Sequence, residues 1–137
     1  MFTVGLCNVS VVVGVDAELD EQSDGVRYIE DTIVSQWEGL SVSTQEVRQR
    51  VDEVLKPLGV ETSLLVIRRA NSLALYFICL TLSALLSLRD HWHKEQLRDI
   101  IQSLFTFLSG ASETVRVKRI TWPETDYKRC LSFLQSK

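Results

Sequence analysis

The sequence predicts an α+β domain in which a four-stranded antiparallel sheet carries its main helices on one face. The predicted elements run β-α-α-β-β-α-β-α. When the helix at Val26 to Leu40 and the terminal helix are set aside as additions, the order is β-α-β-β-α-β, that of the ferredoxin-like, split βαβ fold. That fold places its first and third strands centrally, and these are the two most apolar ones, Leu6 to Val13 and Leu73 to Leu80. The second and fourth strands, which carry basic pairs, then lie at the edges.

Length and composition are those of one globular domain spanning residues 1–137. A chain of 137 residues is long enough to bury a core without disulfides or metals. Its content of 45% apolar and 24% charged residues is ordinary. The net charge of −3 argues against a nucleic-acid-binding module, which needs a basic excess to neutralise phosphates.

The first strand is predicted over Phe2 to Val15, followed by an acidic loop over Asp16 to Gly25. The run Val11-Val12-Val13 indicates a central strand, and Asn8-Val9-Ser10 predicts a kink, a bulge or a turn. The loop contains five carboxylates, but their order lacks the central glycine of an EF-hand calcium loop. We therefore expect a solvated loop without a metal.

Two helices are predicted next. Apolar residues at helical spacing predict the first over Val26 to Leu40. Ser43 and Glu46 form a capping box that begins the second helix, and Pro57 with Gly59 ends it.

An uncharged run over Ser72 to Leu88 follows a strand predicted at Glu61 to Arg69. We interpret it as a tight turn, the return strand Leu73 to Leu80, and the start of a helix capped by Thr81 or Ser83. The helical stripe continues to Gly110, a residue suited to a helix C-terminus.

A transmembrane helix is the competing interpretation of the uncharged run, which reaches the lower length limit of a membrane span. Polar residues inside the run argue against it, and so does the amphipathic stripe that continues past Arg89 to Leu108. We therefore expect the strand, with a kink in the long helix near Arg89 to His93.

The last strand is predicted over Glu113 to Thr121, where Val115 and Val117 alternate with basic residues as in an edge strand. Trp122-Pro123-Glu124 then opens a final helix, with proline suited to its first turn. Its predicted apolar side comprises Tyr127, Cys130, Leu131 and Leu134.

No catalytic, cofactor or metal motif is found in the sequence. His91 and His93 project about 200° apart on a helix and so cannot chelate one ion. The glycines form no phosphate loop, and the third strand lacks the aromatic pattern of an RNA-recognition module. We therefore expect a protein that is not an enzyme and uses no cofactor.

The three cysteines, Cys7, Cys79 and Cys130, are far apart and lie in apolar surroundings. We expect each to be a small buried hydrophobe in a reducing compartment. The start of the chain lacks the basic and apolar regions of a signal peptide. These features predict a cytoplasmic protein, with the nucleus as the alternative.

The later part of the chain resembles the N-terminal domain of the TNF-receptor-associated death-domain adaptor (TRADD N-terminal-like). The resemblance rests on pattern and order over roughly residues 47–135, through these segments: Leu64 to Asn71, Leu73 to Cys79, Leu85 to Leu108, Thr114 to Lys118 and Lys128 to Ser132. It implies a ferredoxin-like α/β sandwich that binds the TRAF domain of a TRAF-family protein. The acidic loop and the helix at Val26 to Leu40 depart from that adaptor.

The expected function is therefore a protein-interaction, adaptor or scaffold domain in signalling, which binds through its open sheet face or an edge strand. The candidate partner-binding residues are the basic ones on the edge strands: Arg68, Arg69, Arg116, Lys118 and Arg119. Solvated strand ends are the simpler interpretation of these basic pairs. A homo-oligomer stays open, and the alternative function is a small-ligand-binding or enzymatic ferredoxin-like domain. No nucleic acid or membrane is expected as a partner.

Overall fold

The computed structural model describes residues 7–17, 23–69, 73–110 and 115–135. Short 3₁₀ turns follow the first two helices, at Gly39–Val42 and Lys56–Leu58. The strands and helices are β1 (Cys7–Ala17), α1 (Ser23–Glu38), α2 (Gln45–Leu55), β2 (Thr62–Arg69), β3 (Leu73–Cys79), α3 (Leu82–His93), α4 (Gln96–Leu108), β4 (Val115–Thr121) and α5 (Glu124–Gln135).

The four strands form one antiparallel sheet in the order β2-β3-β1-β4. The first and third strands are central and the second and fourth are at the edges, so the predicted α+β, ferredoxin-like order is confirmed. The competing membrane interpretation of the uncharged run is wrong, because the run contains β3 and the first part of α3. Within the described ranges, none of the helices combines the length and the apolarity that a membrane crossing requires.

The core lies between the sheet and the helices, on one side of the two central strands. Val9, Val11 and Val13 alternate along β1 and are fully buried. Their register partners on β3 are Phe77, Leu75 and Leu73, which are fully buried as well and complete the apolar surface. This alternation fixes which face of the sheet packs on the helices.

Helices α1 and α4 cover this face. Helix α1 packs on β1 and β2 and contributes Ile33, which is fully buried, whereas α4 packs on β4. The helix treated as an addition, Val26 to Leu40, is therefore α1 and a main covering helix. Helix α2 packs mainly on α4, so the two exchange their expected roles.

The long helix that was predicted to continue to Gly110 is two helices, α3 and α4. It breaks at Lys94 and Glu95, where Glu95 adopts a left-handed conformation with φ of 64°. A kink was expected one residue earlier, near Arg89 to His93. Left-handed backbone is costly for a residue with a Cβ atom, and at this residue the chain turns from α3, which packs on α5, to α4, which packs on β4.

The cap of α2 differs from the prediction, whereas the glycines that end helical segments follow it. Helix α2 is capped by Thr44, whose Oγ1 accepts from the Val47 amide, whereas Ser43 donates to the Leu40 carbonyl oxygen. The predicted Ser43 capping box is therefore wrong by one residue. Gly59 and Gly110 take positive φ values, as expected for residues that end a helical segment.

The β1 segment also differs from the prediction. Its register shift lies between Gly14 and Val15, not at Asn8-Val9-Ser10. The acidic loop is shorter than predicted, since Asp16 still belongs to β1 and α1 begins at Ser23. Residues 1–6, 18–22 and the turn at Asn71-Ser72 lie outside the described residues.

The cap of α3 yields a stability prediction. Thr81 Oγ1 accepts from the Ala84 amide at 3.1 Å and donates to Glu61 at 2.8 Å. Thr81→Ala should therefore lower the free energy of unfolding by about 1 kcal/mol. Thr81→Ser keeps the capping hydroxyl and should lower the free energy of unfolding by much less. Ser83→Ala is the matched control and should change stability by less than about 0.5 kcal/mol. Urea denaturation of the three variants checks this, and equal losses in Thr81→Ala and Ser83→Ala would contradict it.

Candidate interaction surface

The alternate residues of the strands form the face of the sheet that points away from α1 and α4, here called the open face. The strand registers place these residues on it: Asn8, Ser10, Val12 and Gly14; Ser63, Val66 and Arg68; Ala74, Tyr76 and Ile78; Arg116, Arg119 and Thr121. Val12, Tyr76 and Ile78 stay half-buried, whereas their neighbours on the helix side are fully buried. No described helix therefore lies across the centre of the open face.

The centre of the open face is apolar. Val12, Tyr76 and Ile78 come from the two central strands, and Val66 extends the patch onto β2. Tyr76 is the largest of these side chains, and the Arg68 guanidinium lies 5.6 Å from its ring centroid. A cation held over an aromatic face contributes about 0.5–1 kcal/mol at exposed sites and keeps both groups ordered.

The structure distributes the five predicted basic residues unevenly. Arg68 is exposed on the open face beside Tyr76. Arg116 and Arg119 are exposed on β4, where their register partners are Asp16 and Gly14. These three arginines line opposite edges of the apolar centre. Lys118 is exposed at the β4 register shift, on the outer edge of the sheet.

Arg69 is not brought to the open face. It lies on the helix side, where its Nη1 is 3.2 Å from Glu30 and 3.0 Å from Asp31. Glu30 is buried, so this pair holds α1 against the end of β2. Loss of one partner of such a pair is costly because it leaves the other charge desolvated.

Helix α5 contributes residues that sequence reasoning did not assign to the surface. Asp126 Oδ2 accepts from the Ser10 amide at 3.0 Å, and Arg129 Nη2 donates to the Asn8 carbonyl oxygen at 3.2 Å. The helix thus lies beside the first half of β1, beyond the end of β4. A groove of about 380 Å³ separates it from Val12. These contacts join residues more than 110 positions apart, so no local pattern signals them.

The outer edge of β4 is occupied by side chains. The Val117 amide donates to Gln102 Oε1 at 3.0 Å, and the Val115 amide donates to Thr106 Oγ1 at 3.4 Å. Farther along, Trp92 Nε1 donates to the Ile120 carbonyl oxygen at 2.9 Å. Because these groups are already bonded, β4 is poorly suited to pairing with a further strand.

The edge of β2 is also irregular. Its register with β3 shifts between Leu64 and Val66, and Leu65 is exposed in that interval. Trp37 Nε1 donates to the Leu65 carbonyl oxygen at 3.2 Å. A bulge and a side-chain donor are both devices that prevent strand addition, so the open face is the better candidate surface.

Arg89 lies in an aromatic cluster between α3, β4 and α5. Its guanidinium carbon is 4.5 Å from the ring centroid of Trp92, 5.0 Å from that of Trp122 and 4.2 Å from that of Tyr127. Glu124 completes the cluster with an ion pair of 2.7 Å. No local pattern in the sequence signals this cluster, which fixes the start of α5 and therefore one border of the open face.

The cysteines divide into two environments. Cys79 is a buried free thiol, and burial raises its pKa to about 11. The Thr62 hydroxyl beside it opposes this shift, but the contact is too loose to satisfy that buried oxygen. A thiol with a raised pKa is a poor nucleophile at neutral pH.

Cys130 is buried and disulfide-bonded, so the expectation of a free thiol is wrong for this residue. Its partner lies outside the described side chains. The Cys130 Sγ is 3.2 Å from the Asn8 carbonyl oxygen, which is a packing contact because a disulfide sulfur carries no proton. Disulfides are rare in reducing compartments, so the cysteines no longer argue for one.

The described residues contain no group of three or more ligands placed to hold a metal ion. His91 Nδ1 instead lies 2.7 Å from the Ser87 carbonyl oxygen, and the His93 ring lies 5.0 Å from Trp92. A cavity of about 690 Å³ lies between α2 and the start of β2, with Val51, Leu55 and other apolar residues in its wall.

Comparison with protein-family models, with curated proteins and with solved structures gives no match for this chain.

The aromatic cluster predicts a role for Arg89 in stability. Arg89→Ala removes three cation–π contacts and the packing of the side chain, and should lower the free energy of unfolding by about 2–3 kcal/mol. Arg98→Ala is the control, since its pair with Glu95 is exposed and should be worth less than about 1 kcal/mol. Chemical denaturation followed by tryptophan fluorescence measures both, and equal stability of Arg89→Ala and wild type would refute a structural role.

Cys79 predicts a loss of stability at alkaline pH. Its folded pKa, about 11, lies above the ordinary value of 9.0. The stabilising effect of the neutral thiol is complete below pH 9 and is lost as the pH rises towards 11, by at most about 2–3 kcal/mol. Cys79→Ala should show a shallower decline than wild type over this range. Thermal unfolding at pH 8, 9, 10 and 11 tests this, and parallel curves would show that Cys79 does not contribute.

Proposed function

We propose that this domain is a non-enzymatic protein-interaction module, an adaptor or scaffold, that binds a partner protein through its open face. The observation that carries the proposal is the half-buried apolar centre of that face, formed by Val12, Tyr76 and Ile78. Exposed apolar patches with a polar border are typical of interaction sites. The opposite face is covered by α1 and α4.

The chemistry of the open face suits protein recognition. Tyrosine and arginine are the residue types that most often dominate binding energy at interfaces. Tyr76 and Arg68 lie together on this face, with the guanidinium 5.6 Å from the ring centroid. Because the cation–π contact already orders both side chains, less conformational entropy is lost when a partner covers them.

The charge of the border favours an acidic partner. Arg129 beside the apolar centre already pairs with Asp126, but Arg68 and Arg119 are exposed on opposite sides of it. A partner with carboxylates opposite these positions would be steered into register. A second copy of the domain, docked open face to open face, would bring the same positive borders together, so a homo-oligomer of this kind is disfavoured.

The resemblance to the adaptor's N-terminal domain supplies a first partner to test, the TRAF domain of a TRAF-family protein. It also supports a role in signalling and a cytoplasmic location as parts of the same proposal. A small-ligand-binding function would require convergent polar groups in the cavity beside α2. The wall of that cavity is instead largely apolar, with Arg48, Asp52 and Lys56 among its polar residues.

A variant at the apolar centre tests the proposal. Ile78→Glu places a carboxylate on the open face, where it should repel an acidic partner and weaken binding at least 100-fold, about 3 kcal/mol. Its thermal midpoint should stay within a few degrees of the wild-type value. Leu86→Glu is the matched control, because Leu86 is 46% exposed on α3, away from the sheet.

Two measurements carry this test. Calorimetric titration tests whether a TRAF domain binds this domain. Quantitative affinity capture compares the partners recovered by wild type, Ile78→Glu and Leu86→Glu. We expect the same partner to be retained by wild type and Leu86→Glu and lost from Ile78→Glu. Capture that yields no partner dependent on Ile78, or equal loss in both variants, would overturn the proposal.

A further inference from the structure

A second feature of the surface lies at the outer edge of β4 and plays no part in the apolar centre. It is a cavity of about 340 Å³ between the α3–α4 turn and the end of β4. Six residues with aromatic or charged side chains line it: Trp92, His93, Glu95, Arg98, Lys118 and Arg119. It is called the edge cavity here.

The charges around the edge cavity are unbalanced. Arg98, Lys118 and Arg119 contribute three cations, and Glu95 contributes the one carboxylate, which pairs with Arg98 at 2.6 Å. Lys118 and Arg119 are exposed, and neither pairs with a carboxylate of the described residues. Among the described residues, these two positive charges therefore have no acidic partner, although the net charge of the chain is −3.

The wall of the edge cavity is held in place. Trp92 donates to the Ile120 carbonyl oxygen at 2.9 Å and packs against the guanidinium of Arg89. Glu95 is the one non-glycine residue with positive φ among the described residues. Strained backbone of this kind is found preferentially at binding sites. Here it positions the Glu95 carboxylate, which forms an ion pair with Arg98.

We propose that the edge cavity binds a phosphate dianion on a side chain of the partner protein. This inference rests on the proposed function, because Arg119 belongs both to the edge cavity and to the border of the open face. A partner that covers the open face can therefore extend a residue into the edge cavity. The edge cavity then makes recognition depend on phosphorylation of the partner.

Charge decides between a phosphate and a carboxylate. A phosphorylated side chain carries between −1.5 and −2 charges at pH 7 and three acceptor oxygens, which matches the two uncompensated cations. A carboxylate would neutralise only one. Arginine also binds phosphate in a bidentate way, and the ring of Trp92 offers an apolar surface to the group that bears the phosphate.

The test uses the isolated domain and small probes, so that it does not depend on the partner. Phenyl phosphate, inorganic phosphate and benzoate are titrated while the indole N–H resonance of Trp92 is followed by NMR. We expect phenyl phosphate to shift this resonance saturably, with inorganic phosphate weaker and benzoate at least 5-fold weaker. Affinity should fall as salt is raised.

Matched variants locate the binding. The double variant Lys118→Gln, Arg119→Gln should weaken phenyl phosphate at least 10-fold, whereas Arg68→Gln, which removes a cation of the open face outside the edge cavity, should leave it unchanged. Absence of a saturable shift, benzoate as tight as phenyl phosphate, or equal loss in Arg68→Gln would each overturn the inference.

Two further arms separate the outcomes. Ile78→Glu should bind phenyl phosphate as wild type does, so a failure of the edge cavity and a failure of the open face are distinguishable. Vesicles containing an anionic phospholipid are compared with a phosphopeptide through the same double variant. Tighter binding to vesicles that depends on Lys118 and Arg119 would assign the edge cavity to a membrane and overturn the protein-partner proposal.

Discussion

The pairing of β1 with β3 is the interaction on which the rest of the structure depends. Val9, Val11 and Val13 meet apolar partners across the strands, and all are fully buried. A shift of the register by one residue would turn these side chains away from the helices. The same pairing places Tyr76 and Ile78 on the opposite face. One strand register therefore determines both which residues form the core and which form the apolar centre of the open face.

The positions of the described helices explain why they cover one face of the sheet and leave the centre of the other without a helix. Helices α1 and α4 take the side with the fully buried residues, and Arg69 joins β2 to α1 through buried Glu30. Helix α5 instead lies beside β1, beyond the end of β4, where Asp126 binds the Ser10 amide. It therefore borders the open face without lying across its centre.

The clustered aromatic residues connect this arrangement to the edge of the sheet. Arg89 lies among Trp92, Trp122 and Tyr127, and Trp92 also bonds to the backbone of β4. One set of contacts thus holds α5 in position, closes part of the β4 edge and forms a wall of the edge cavity. Because side chains bond to the backbone at both edges of the sheet, strand addition is disfavoured at either edge.

The sequence by itself determined the fold class, the strand order and the approximate extent of the helices, because alternation, helical spacing and capping residues are local signals. It did not reveal that the long helix is divided into α3 and α4. It did not reveal that α1 covers the sheet, that Arg69 lies on the helix side, or that Cys130 is disulfide-bonded. Nor did it place Arg129 at the border of the open face. Only the tertiary structure decided these points, since each depends on contacts between residues distant in the chain, for which no local pattern exists.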